Sequence, residues 1–193
     1  MGIEYVNRRG DKYYLLQGKT KTGKPKYYAS RKPQGVPVET MPEGFEIHEN
    51  PEQGIVSVRK ARPTQILPLE RESLARWTRN LAGTEHFIID VDGDSLVIYT
   101  PGSDPAETAG RFDRIFGGMM RTTFEKFLAE NARYVAMLRF TLTDAKKRLF
   151  TAERWCFLGG IDDWHFLASS RPLEEHARKF LPHLIGESFF ELI

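Results

Sequence analysis

Cysteine is almost absent from this chain: Cys156 stands alone among 193 residues. No disulfide can close within it, and a reducing, cytoplasmic home is the expectation. Long apolar runs are lacking too, since no window approaches the roughly 18 uninterrupted apolar residues of a membrane span. The opening MGIEYVNRRG has no stretch of signal-peptide length. Val6 stands where myristoylation asks for Ser or Thr, and the closing ELI matches no prenylation or retention tag.

Motifs of catalysis and metal binding are equally scarce. Gly18-Lys19-Thr20 resembles the end of a phosphate loop, but the first glycine of that loop would fall at Tyr13, and both flanks read as strand. An NTPase is excluded. Asp90, Asp92 and Asp94 have the alternation of a calcium loop, yet its glycine and glutamate positions hold Ser95 and Pro101. His48, His86, His176 and His183 show no ligand spacing. Cys156 would face His165 if Gly159–Asp162 formed a four-residue loop, and Asp163 if Gly159-Gly160 formed a two-residue one. Set between Trp155 and Phe157, it reads as a core cysteine. Asp162-Asp163 point to opposite faces of a strand, and Glu174-Glu175 suit the first turn of a helix. We expect no cofactor and assign no catalytic or metal-binding residue; an enzyme would need a site that no motif announces.

What the chain does have is uneven charge. Residues 1–32 carry nine basic side chains against Glu4 and Asp11, a local net of +7, and the remainder sums to −5. Such asymmetry points to a polyanionic partner for the N-terminal end. Arg9-Gly10-Asp11 spells an adhesion tripeptide, but three letters at a turn are read as chance.

An α+β fold is expected, with an N-terminal β-rich module followed by an antiparallel meander packed by helices on one face. Residues 1–62 form the basic module, in which runs rich in Tyr, Ile and Val alternate with turn formers. In FEIHE, Phe45 and Ile47 are to share the buried face. Residues 63–70, with Pro63 and Pro68, read as a connector, and 71–193 as the α+β domain. Spacing of Leu74, Trp77 and Leu81 predicts a helix over 69–82, ended by Gly83. An Asp92-Gly93 loop would set Ile89 opposite Leu96, Ile88 opposite Val97 and Phe87 opposite Ile98. Helices should start with Asp104-Pro105-Ala106-Glu107 and Thr122-Thr123-Phe124-Glu125.

Alternation from Tyr134 puts Tyr134, Ala136, Leu138, Phe140 and Leu142 on one face, Val135, Met137 and Arg139 on the other. Further strands are expected over 149–158 and 163–168, turning at Gly159-Gly160. A final helix from Ser170 buries Leu173, Ala177, Phe180, Leu181 and Leu184, and pairs Glu174 with Arg178 and Glu175 with Lys179.

The stretch GKTKTGKPKYY then reads as a hairpin whose residues Lys19, Lys21, Lys24, Lys26, Tyr27, Tyr28, Arg31 and Lys32 could grip single-stranded RNA or DNA. Lysines would neutralise phosphates and tyrosines stack on bases, with Tyr13 and Tyr14 as further rings, although at least half of the four tyrosines should pack into the module. The rival expectation is a protein partner or self-association through the apolar tail, with Phe189, Phe190, Leu192 and Ile193 as its contacts.

Overall fold

Strand and helix patterns fold into four helices and three antiparallel sheets in the computed structural model, which describes residues 2–116, 121–157 and 162–192. The α+β expectation holds. By compactness the chain divides into Met1–Ala61 with Ala106–Ala132, and Arg62–Pro105 with Arg133–Ile193.

In the first unit, β2 (Lys12–Lys19) lies between β3 (Pro25–Ser30) on one edge and the short strands β1 (Glu4–Val6) and β4 (Val36–Pro37) in tandem on the other. A separate ribbon joins β5 (Phe45–Glu49) to β6 (Val56–Lys60). All five residues of β5 are half-buried rather than alternating, because a two-stranded ribbon has too little around it to bury one face fully. Tyr13, Leu15, Leu16, Val38 and Val56 are buried, Leu16 on the opposite face of β2 from Tyr13 and Leu15. Asn7, buried at the β1–β2 turn, donates to the Gly54 carbonyl at 2.7 Å and accepts from the amides of Arg9 and Asp11. It welds this turn to the loop before β6. The Asp11 carboxylate is engaged by Arg31 and Asn7, so the Arg9-Gly10-Asp11 turn is a structural one.

The second unit is a five-stranded meander in the order β11-β10-β9-β8-β7, built from β7 (Ile88–Asp92), β8 (Ser95–Pro101), β9 (Tyr134–Asp144), β10 (Leu149–Trp155) and β11 (Trp164–Pro172). The amide of Gly102 donates to the Arg133 carbonyl at 3.0 Å. Residues 103–132 therefore leave and rejoin the β8–β9 pair at one point, carrying α2 (Pro105–Phe116) and α3 (Arg121–Asn131), whose Phe112 and Phe124 rings lie 4.8 Å apart. Thr122 does not open α3, which is already helical at Arg121. Against one face of the sheet pack α1 (Pro68–Trp77), α4 (Leu173–Phe180) and the tail, around Leu74, Ile98, Leu138, Phe140, Phe150 and Phe180.

Several details depart from the sequence expectation. Gly93 and Asp94, not Asp92 and Gly93, form the β7–β8 loop, so Ile89 faces Ile98, Val91 faces Leu96 and Ile88 faces Tyr99. A slip of two residues keeps the same face inward, so patterning is blind to it. Gly93 at φ 58° takes the first loop position, while Asp92 and Asp94 are held by Arg62 and by the Gln65 amide.

In β9 the register against β8 shifts at Met137, which turns Met137 and Val135 toward the core and Tyr134 away from it. The 69–82 helix ends in a wider π-turn over Thr78–Ala82 before Gly83 caps it at φ 67°. That turn delays the buried stripe by one residue, so Leu74, Thr78 and Ala82 are buried and Leu81 is exposed.

β11 runs on through Ser170, so α4 begins only at Leu173. Glu174 pairs with Arg178 as expected, whereas Glu175 is taken by Arg171 rather than Lys179. Cys156 is buried, and its amide donates to the Asp163 carbonyl, while His165 sits opposite Arg154; the thiol–imidazole register is not adopted. The Gly159-Gly160 turn lies outside the described residues.

His176 is 1% exposed, between the rings of Phe140 and Phe180, and its Nε2 donates to the Phe150 carbonyl at 2.6 Å. Burial pushes its pKa below the ordinary 6.5, outweighing the carbonyl bond that favours the charged ring. The unfolded chain then binds the extra proton first, so stability is full above about pH 6.5 and falls as pH drops below it. His176→Gln, which keeps a donor, should flatten the decline of melting temperature between about pH 6.5 and 5; an unchanged slope would assign the decline to other groups. In the tail, Phe189 is fully buried and Phe190 exposed. Phe189→Ala should cost about 3–5 kcal/mol in denaturant unfolding, and Phe190→Ala within about 0.5 kcal/mol.

Candidate nucleic-acid interface

Paired residues on neighbouring strands point to the same side of a sheet, so the register of β1–β4 sorts the expected binding set. Glu4 pairs with Tyr14, Leu16 with both Tyr28 and Pro37, and Gly18 with Lys26. These share one face. Tyr5, Tyr13, Leu15 and Tyr27 share the other, which is turned to the β5–β6 ribbon: the Tyr27 ring meets Phe45 edge-on at 5.0 Å, and the Tyr5 hydroxyl donates to Glu49 at 3.0 Å. Burial and this carboxylate raise the Tyr5 pKa. Tyr27 thus serves the module's packing, while Tyr28 keeps Lys26 and Tyr14 as companions on the opposite face.

Arg31 also reaches toward the side of Tyr13 and Tyr27, with its side chain 60% exposed. Its guanidinium donates to the Tyr13 hydroxyl at 3.3 Å, lies 5.5 Å from that ring and pairs with Asp11 at 2.7 Å. The remaining members are solvent-facing. Lys19 ends β2, Lys21 and Lys24 sit in the loop, and Lys26 lies on the β3 edge. The loop is closed by the Thr20 amide on the Lys24 carbonyl and by Gly23 at φ 80°. Lys32 is set by a tight turn in which its amide bonds the Ser30 hydroxyl.

Ion pairing divides the basic residues sharply. Arg8 is paired with Glu49, Lys12 with Glu4 and Arg31 with Asp11. Lys19, Lys21, Lys24, Lys26 and Lys32 have no acidic partner among the described residues, and all five are exposed. Five of the module's unpaired basic side chains are therefore gathered at the hairpin tip and the adjoining turn, with Arg9 and Lys60 lying elsewhere. The Glu4 hydrogen bond raises the Lys12 pKa, and the Lys12 ammonium lies 5.7 Å from the Tyr14 ring.

Tyr14 is legible in the sequence as a ring, but its company is not. Beside it lies Lys12, two residues away on the same strand, and, invisible to spacing, a pocket of about 240 Å³ lined by Glu4, Tyr14, Leu16, Pro33, Gly35 and Pro37 among others. The linear trace of its wall is the spacing Pro33-x-Gly35-x-Pro37, which turn statistics absorb.

Of the tail residues considered for a partner, Phe189 is in the core and Leu192 packs against it, while Phe190 is exposed beside Phe157. Arg154 anchors this tail through the carbonyls of Leu192 at 2.7 Å and Phe190 at 3.4 Å. Ile193 lies outside the described residues. Among the described residues no three His, Cys, Asp or Glu side chains gather to hold a metal ion, and no helix is long and apolar enough to cross a membrane. No family model, curated protein or solved structure matches the chain.

Proposed function

We propose that the module of residues 1–62 binds single-stranded nucleic acid without catalysis, the region 71–193 serving as its scaffold. The observation that carries this reading is the set of five exposed lysines without acidic partners, among the described residues, on one hairpin and its adjoining turn. Lys21, Lys24, Lys26 and Lys32 would neutralise successive phosphates, and the half-buried ring of Tyr28, on the same face as Lys26, would offer a stacking surface. Tyr27 and Arg31 act behind that surface by fixing the sheet.

A second reading, contact with a protein partner at the tail, draws support from the exposed pair Phe157 and Phe190, whose rings lie 6.0 Å apart. It would use Phe190 and leave Phe189 in the core.

Reversal of Lys21, Lys24 and Lys26 to glutamate tests the first reading by fluorescence anisotropy on labelled RNA and DNA oligonucleotides. Loss of three phosphate contacts should weaken binding roughly tenfold or more and reduce the slope of log K against log salt by about 2. Unchanged affinity in a triple variant with native circular dichroism would remove the hairpin as the site.

A further inference from the structure

The pocket beside Tyr14 gives the strand-binding reading a more specific form, and its choice of ligand rests on that reading. Its volume of about 240 Å³ is below the roughly 300–1,000 Å³ of pockets that take drug-sized ligands. One planar ring system fits that scale. The walls suit such a ring: Tyr14 and Leu16 come from the same face of β2, and the Pro33–Pro37 segment closes the far side. Gly35 leaves room there, since a Cβ would stand 3.1 Å from the Tyr28 hydroxyl and 3.2 Å from Leu16 Cδ1, and its φ of 150° is one that other residues rarely adopt.

Among the described residues of this lining, Glu4 alone is charged. Lys12 holds Glu4 Oε2 at 2.6 Å, and Glu4 Oε1 has no partner among the described residues. A carboxylate oxygen is an acceptor only. It therefore favours a group that donates: adenine, cytosine and guanine offer an exocyclic amine, whereas the N3–H of uracil and thymine is flanked by two carbonyl oxygens that a carboxylate repels. Charge places the pocket within a strand's path, because Lys32 adjoins its Pro33 wall in the chain and Lys26 is on the same sheet face as Tyr14.

We propose that this pocket receives one nucleobase of the bound strand, its ring against Tyr14, and that Glu4 selects bases bearing an exocyclic amine. The test compares 12-mer oligoadenylate, oligocytidylate and oligouridylate RNA at one salt concentration, and free adenosine against uridine by NMR, on the full chain. Oligoadenylate and oligocytidylate should bind roughly tenfold more tightly than oligouridylate, the worth of one charge-assisted hydrogen bond. Glu4→Gln, whose amide can also donate to uracil, should bring that ratio toward one, and Tyr14→Leu should abolish adenosine shifts.

Equal affinities for the three oligonucleotides, with binding still lost on lysine reversal, would overturn the pocket and leave the strand reading intact. Adenosine binding that depends on Tyr14 and Glu4, with no oligonucleotide bound, would uphold the pocket and sink the strand reading. Binding of neither probe would overturn both.

Discussion

Arg148 adopts φ 52°, a left-handed conformation that a residue with a Cβ takes only where its surroundings insist on it. The surroundings here are a carboxylate and two carbonyls. Its guanidinium grips both oxygens of Glu70, donates to the Gln65 carbonyl at 3.1 Å and to Ala145 at 3.4 Å, and lies 5.9 Å from the Phe150 ring. Glu70 in turn accepts from the Leu67 amide at 2.8 Å and so caps the first turn of α1. One side chain thereby fixes the β9–β10 turn, the start of α1 and the connector before it. Asp94 completes the arrangement by taking the Gln65 amide at 2.7 Å. Breaking the bidentate pair would leave a charge that is only 14% exposed without its counter-ion, a loss of about 1.5–3 kcal/mol by the scale of charged hydrogen bonds.

In the N-terminal module the organising constraint is electrostatic sorting. Arg8, Arg31 and Lys12 are spent on nearby carboxylates, where planar or well-placed donors make short bonds, and five long solvated lysines are left at the tip and the adjoining turn. A field concentrated this way acts on distant anions, while paired charges mostly cancel beyond a Debye length. The face that carries Lys26, Tyr28 and Tyr14 is also the face into which the pocket opens, so charge and shape converge on one side of β2.

Many of these elements were legible in order along the chain. The hairpin at residues 18–28, the glycine cap at Gly83 and the apolar stripe Leu173, Ala177, Phe180, Leu181 and Leu184 follow from spacing and residue type alone, and the structure places each as that spacing requires. Other features were illegible for definite reasons. A two-residue register slip at Gly93 preserves which face is buried, a bulge at Met137 inverts it, and a π-turn at Thr78 moves a stripe by one position. Periodicity carries no mark of any of them. The candidate set was likewise half visible: lysines can be counted, but the face that each tyrosine takes depends on its register with β2.

By itself, then, the sequence determined most of the secondary elements, the α+β class, the excess of positive charge at one end and the impossibility of an internal disulfide. These depend on neighbours within a few residues or on composition. Tertiary structure alone decided that Tyr27 meets Phe45 while Tyr28 takes the opposite face, that Phe189 is core and Phe190 surface, that His176 is buried between two phenylalanines with its pKa lowered, and that Glu4, Tyr14 and Pro33 share a pocket. Each of those outcomes depends on residues brought together from separate strands, and burial and pairing are properties of that assembly rather than of any local run.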